Sequence, residues 1–249
     1  MKLIHNFKNM SLSQFVLILL LFNFLSNLVL LFVSVNKKSS KVFIKFFFLP
    51  ILLCAWLALT IQQVSEVAYL STRQVLGNVL LSFWVLASLS LNKPLKIALL
   101  SDYLNKFKEA VINKQTKRII LLISYISMIQ IVCFSPIISL NFLSGPSSFY
   151  FMDLLSSIIC IFGLFVILKS YKETEFEVRH PLNGLLGHAL HPDYFGNLIL
   201  FLGMFLLSTG ATGGFWSIIG PITMLFLLVK VIIPENKRNI SQAPSTLNL

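Results

Sequence analysis

Seven apolar stretches run along the chain, at about residues 15–35, 42–61, 75–91, 119–140, 149–169, 194–209 and 213–233, separated by short polar segments. Each approaches the roughly 20 residues that a helix needs to cross the hydrocarbon core of a bilayer. The third and sixth are the shortest, so they cross with little tilt or with help from flanking residues. No stretch shows the period-two alternation of barrel strands. The pattern predicts an all-α, polytopic membrane protein with about seven transmembrane helices. The first stretch follows Lys2 and Lys8, but its apolar part is longer than a signal-peptide core and no small-residue cleavage pattern follows it. It is expected to be a retained helix.

Between the third and fourth stretches, DYLNKFKEAVINKQTKR has a different pattern. Tyr103, Leu104, Phe107, Ala110 and Val111 recur at helical spacing among charges, which predicts an amphipathic surface helix. The expected organisation is three N-terminal helices over 1–91, a basic cytoplasmic loop over 92–118, a C-terminal membrane domain over 119–238 and a disordered tail over 239–249.

Composition agrees with the pattern. Hydrophobic residues make up 56% of the 249, charged residues only 12%, and mean hydropathy is +0.84. A soluble domain carries about twice that share of charge. Seventeen of the twenty basic residues fall on one side of the predicted alternation; only Lys2, Lys8 and Arg73 fall on the other. The positive-inside rule then places the N-terminus outside the cytoplasm and the C-terminus within it, in a bacterial inner membrane or the endoplasmic reticulum. The net charge of +11 follows from that topology and from anionic headgroups, so the bilayer is the expected partner and nucleic acid is not. Cys54, Cys133 and Cys160 lie inside apolar stretches and read as small core or lipid-facing residues.

Intramembrane charge is sparse. Asp153, and Glu66 with Gln62 and Gln63, lie near helix ends, where hydration accounts for them. The densest chemistry lies in 169–197, KSYKETEFEVRHPLNGLLGHALHPDYFGN. Lys172 and Arg179 suit phosphates, and the carboxylates between them suit ribose hydroxyls. Asp193 follows Pro192 at the start of the sixth stretch, where a carboxylate caps a helix and meets its positive end. Asp193 and Asn197 are one helical turn apart with Tyr194 beside them, which makes a ligand cradle or simply an interfacial helix start. His188 and His191 are three apart with no third ligand nearby, so no metal centre is expected.

GLLGHALHPDYFGN, then LILFLGMFLLST, then FWSIIGPITMLFLLVK and IPENKR resemble the C-terminal domain of the steroid 5-alpha-reductases. That family's pattern is a glycine-leucine turn, S-R-H-P-N-Y-F-G-E, an apolar helix and a last helix near a G-P pair. YISMIQIVCFSPII fits the family's helix with a glutamine before a proline, and FWVL around Trp84 fits more faintly. The H-P-x-Y-x-G core is shared with isoprenylcysteine and phospholipid methyltransferases.

The resemblance implies a seven-helix membrane enzyme, with NADPH held by cytosolic loops of the last third of the chain, that reduces a carbon-carbon double bond in a lipid-like or steroid-like enone. Arg179, Asp193 and Asn197 then stand at cofactor-binding positions, with His191, Tyr194 and Gly196 in the shared core. Lys172 and Lys237 supply further positive charge to the cofactor. Tyr194 and Glu66 are the candidates for polarising the substrate carbonyl. The family's arginine before His-Pro is Leu190 here, its asparagine and glutamate have become Asp193 and Asn197, and its charged stretch before the fourth helix has no counterpart in SDYLNKFKEA. Two other readings stay open. One is an S-adenosylmethionine methyltransferase of a lipid or prenylated thiol with Glu235 near the cofactor; the other is a divergent, non-catalytic relative.

Overall fold

The computed structural model of the chain describes residues 11–36, 40–66, 71–90, 98–142, 150–176, 192–211 and 213–227. Apart from one 3-10 turn, the regular elements among them are α-helices: α1 Leu12–Asn36, α2 Ser40–Phe46, α3 Leu49–Glu66, α4 Thr72–Ser90, α5 Ala98–Ile112, α6 Thr116–Cys133, α7 Ser135–Phe142, α8 Phe151–Phe176, α9 Pro192–Thr209 and α10 Ile219–Leu227. The protein is an all-α polytopic membrane protein. Among the described residues, three spans are long and apolar enough to cross a bilayer, Ser13–Asn36, Thr116–Cys133 and Phe151–Ser170. Leu49–Gln63, Phe195–Thr209 and Gly214–Phe226 are shorter apolar helices.

The seven apolar stretches correspond to α1, α2 with α3, α4, α6 with α7, α8, α9, and the turn Gly214–Ile218 with α10. Three of them are therefore broken. The break at Phe134 has a local cause. Pro136 lacks the N–H that would continue α6, and it sits instead in the first turn of α7, where that donor is not needed. Pro50 stands likewise in the first turn of α3. Gly213, at φ 84°, leads into the turn Gly214–Ile218 in a left-handed conformation that favours glycine.

Passes that follow one another in the chain, such as α3 and α4 or α8 and α9, run antiparallel, while α4 and α8 run parallel. Arg73 at the start of α4 meets Asp153 at the start of α8 and Gly210 after the end of α9. Gln62 near the end of α3 meets Gln74 and the carbonyl of Phe142. These residues share one end of the bundle. Trp84, eleven residues and so about 16 Å further along α4, meets Asn197 near the start of α9, towards the opposite end.

The main core gathers residues from α1, α3, α4, α6, α7, α8, α9 and α10 around Trp84, Phe134, Ile137 and Phe201. A second core joins α1, α2, α5 and α6 through Leu31, Phe43, Phe107 and Ile123. Exposed apolar stripes at Leu17, Leu21, Leu25 and Val29 of α1 and at Ile158, Ile161, Phe165 and Leu168 of α8 face outward, as lipid-facing surfaces do.

Two sequence expectations change. The apolar face of α5 packs within the protein: Tyr103, Phe107 and Ala110 are buried against the second core and Val111 packs beside them, because the face finds an apolar partner in α2 and α6. Burial pushes the Tyr103 phenol well above its ordinary range. Asp153 is not hydrated but 1% exposed, and it is paired with Arg73. The three cysteines are all buried; Cys54 and Cys160 donate to the carbonyls of Leu19 and Leu200 on neighbouring helices.

Candidate functional site

The HPDYFGN segment opens α9, and the packing of α9 fixes where its first turns stand. Gly196 and Gly203 are seven residues apart, two turns along one face, and that face lies on α8. A methyl group at Gly196 would meet Ile167 Cγ1 at 2.8 Å and the carbonyl oxygen of Gly163 at 3.0 Å; one at Gly203 would meet Cys160 Sγ at 2.6 Å. Gly163 in turn approaches the backbone of Leu200 and Gly196. Small residues thus let the two backbones touch, which is how membrane helices associate when lipid gives no hydrophobic drive. The motif glycine has a packing role.

Asn197, on the next position, is completely buried. Its Oδ1 accepts a hydrogen bond from the indole Nε1–H of Trp84 at 2.9 Å. Trp84 sits in an aromatic cluster: its ring centroid is 4.5 Å from that of Phe48, 5.6 Å from Phe134 and 6.0 Å from Phe201. Asn197 therefore faces the bundle interior, and the aromatic cluster forms the floor beneath the first turns of α9. Trp84→Phe keeps a ring in the cluster and removes the donor. It is expected to destabilise the protein by about 0.5–2 kcal/mol, read as a lower unfolding midpoint in detergent; an unchanged midpoint would show that the bond contributes nothing.

Of the other sequence-predicted residues, Arg179, His191 and Lys237 lie outside the described residues, as does His188. Lys172, Asp193, Tyr194 and Glu66 lie on described helix backbone, but their side chains lie outside the described residues. Backbone position alone separates two of them. Tyr194 is in the first turn of α9, whereas Glu66 ends α3 at the opposite end of the bundle, near Gln62 and Gln74. The helix positions thus place the two at opposite ends of the bundle, with Tyr194 at the motif.

The structure also assembles neutral amides that a search for charge passes over. Asn78 Nδ2 donates to Asn141 Oδ1 at 2.7 Å, Asn141 Nδ2 donates to the carbonyl of Ala55 at 2.9 Å, and Gln74 Nε2 donates to Gln62 Oε1 at 2.9 Å. This belt ties α3, α4 and α7 together. A second cluster joins Asn23 and Asn27 of α1 to Gln130 of α6. The available sequence signal was the spacing of asparagines by four in the apolar run LLFNFLSNLVLL.

Residues 34–244 match the family model described as a protein of unknown function, DUF1295. The chain belongs to the DUF1295 family. No curated protein and no solved structure matches it significantly. The DUF1295 match takes in Trp84, Gln130, the α8–α9 pair and the whole HPDYFGN segment, and it begins within α1, after Asn23 and Asn27.

Proposed function

We propose that this DUF1295 protein is a membrane-embedded reductase that uses NADPH to reduce a carbon-carbon double bond of an apolar enone, with its N-terminus outside the cytoplasm and the cofactor end of the bundle inside. The observation that carries this reading is the bracing of α9. Backbone contact through Gly163, Gly196 and Gly203 and the Trp84–Asn197 bond hold the first turn of the motif helix from two sides. A ligand cradle needs that rigidity, and a mere helix entrance does not. The likeness of HPDYFGN and the IIGP helix to the steroid 5-alpha-reductases gives the cradle its chemistry.

The donor set fits the cofactor. Lys172, Arg179 and Lys237 would meet its phosphates, and His191 and Asp193, which flank Pro192 at the mouth of α9, would bind its polar groups, with Asp193 accepting from a ribose hydroxyl or the carboxamide. Asn197 would support the cradle from beneath, through Trp84. Tyr194 would donate to the substrate carbonyl. NADPH, when bound, supplies the hydride, and the chain's part is positioning and electrostatics.

Asp193→Ala is expected to weaken NADPH binding by about 1.5–3 kcal/mol, the scale of a lost hydrogen bond to a charged group. Calorimetric titration of the purified protein measures it, and equal affinity in both proteins would remove Asp193 from the cradle. Native mass spectrometry of the wild type tests the cofactor itself. Co-purifying S-adenosylmethionine in place of a nicotinamide nucleotide would replace the reductase by a methyltransferase.

A further inference from the structure

One polar cluster in the interior has no part in the reductase reading. Asn23 and Asn27 flank the midpoint of α1, one turn apart on one face, and both are completely buried. Asn23 Nδ2 donates to the carbonyl of Ser127 at 3.3 Å and to Gln130 Oε1 at 3.0 Å. Asn27 Nδ2 donates to Ser127 Oγ at 3.1 Å and to Gln130 Oε1 at 2.7 Å. Gln130 Nε2 donates to the carbonyl of Phe47 at 2.9 Å.

That last bond fixes which way round the amides stand. With the Gln130 nitrogen committed to Phe47, its oxygen faces α1, and both asparagines turn their NH₂ groups to it. Each asparagine has two N–H donors, and all four are used. Both Oδ1 atoms are left buried with no partner among the described residues. An acceptor unpaired in an apolar interior is costly, and at mid-membrane no bulk water reaches it.

We propose that Asn23 and Asn27 form a hydroxyl-recognising site in the membrane interior, which takes the O–H of an apolar alcohol. The cluster offers acceptors, so its ligand must donate. None of its members is charged, so a cation or ammonium would find no counter-charge there. The surroundings, Phe15, Leu19 and Leu31 on the same helix, are apolar, and the opposite face of α1 is the exposed stripe of Leu17, Leu21, Leu25 and Val29. A ligand arriving through lipid therefore has an apolar body. A ketone or aldehyde brings only acceptors and would set them against two more. One hydroxyl hydrogen is shared between the two oxygens, or reaches one of them while a water serves the other. Water carries the same O–H chemistry, and experiment separates the two sources. The asparagines precede the region that matches the family model, whereas Ser127 and Gln130 lie within it.

The full-length protein is placed in lipid nanodiscs with hexadecanol or cholestanol, or with the carbonyl partners hexadecanal or cholestanone, and its thermal unfolding is followed. At least one alcohol is expected to raise the midpoint by roughly 5 °C at a concentration well above its dissociation constant, and its carbonyl partner by clearly less. The difference should vanish in Asn23→Leu/Asn27→Leu. If that variant fails to fold, the alcohol-carbonyl comparison in the wild type decides alone. Should neither alcohol exceed its partner, water alone occupies the pair and the proposal is overturned. The measurement uses no cofactor, so its outcome is independent of the NADPH titration.

Discussion

Arg73→Met is expected to destabilise the protein by about 3–5 kcal/mol, the cost of stranding a buried carboxylate. The Arg73 guanidinium donates from Nε to Asp153 Oδ1 at 2.7 Å and from Nη1 to the carbonyl of Gly210 at 2.7 Å, and its Cζ lies 5.2 Å from the centre of the Tyr150 ring. The other carboxylate oxygen accepts from the Tyr150 backbone N–H at 2.7 Å. One side chain thus fastens the start of α4, the start of α8 and the end of α9. With both members nearly inaccessible, 4% and 2% exposed, neither salt nor water compensates for the loss of one. The double variant Arg73→Met/Asp153→Leu should recover much of the stability, because it removes the stranded charge as well. Reversible unfolding in mixed micelles, analysed as a double-mutant cycle, checks this. Additive losses would mean that the two residues act separately.

Gly163→Val is expected to cost about 2–3 kcal/mol and to disturb the cradle along with the fold. A Cβ at Gly163 would lie 2.7 Å from the Leu200 nitrogen and 2.9 Å from the Gly196 oxygen. Both are main-chain atoms of α9, so relief requires α8 and α9 to separate. Separation would draw Asn197 away from Trp84 and loosen the first turn of α9. Gly77→Ala is the contrasting case. Its nearest neighbour is the Leu140 Cδ2 methyl, the far end of a flexible side chain. The gain in helix propensity of up to about 1 kcal/mol then offsets much of the repacking. Unfolding of both variants under the same conditions measures the contrast, and equal costs would show that backbone proximity between α8 and α9 is not what the glycine secures.

The sequence by itself determined the all-α polytopic class and where the apolar stretches lie, because hydropathy reports directly on the transfer of side chains from water to lipid. It also pointed to a helix within 102–118, whose apolar residues repeat at helical spacing; the structure has that helix at Ala98–Ile112. The partner of that face lay beyond its reach, since periodicity says that a face is buried and not against what. Charge was misread at Asp153 for the same reason: the sequence shows a carboxylate near a helix end, but its ion partner is eighty residues away in Arg73. The motif at 188–197 was legible as a string of residue types. Only the tertiary structure decided that Gly196 serves contact with α8, that Asn197 is bound to Trp84, and that Glu66 ends at the far side of the bundle from Tyr194. The amides of α1 and α6 gave the weakest signal, being neutral and short. Their meaning depends on hydrogen-bond directions that are fixed only when Phe47, Asn23 and Asn27, from two other passes, come within hydrogen-bond reach of Gln130, at 2.9, 3.0 and 2.7 Å.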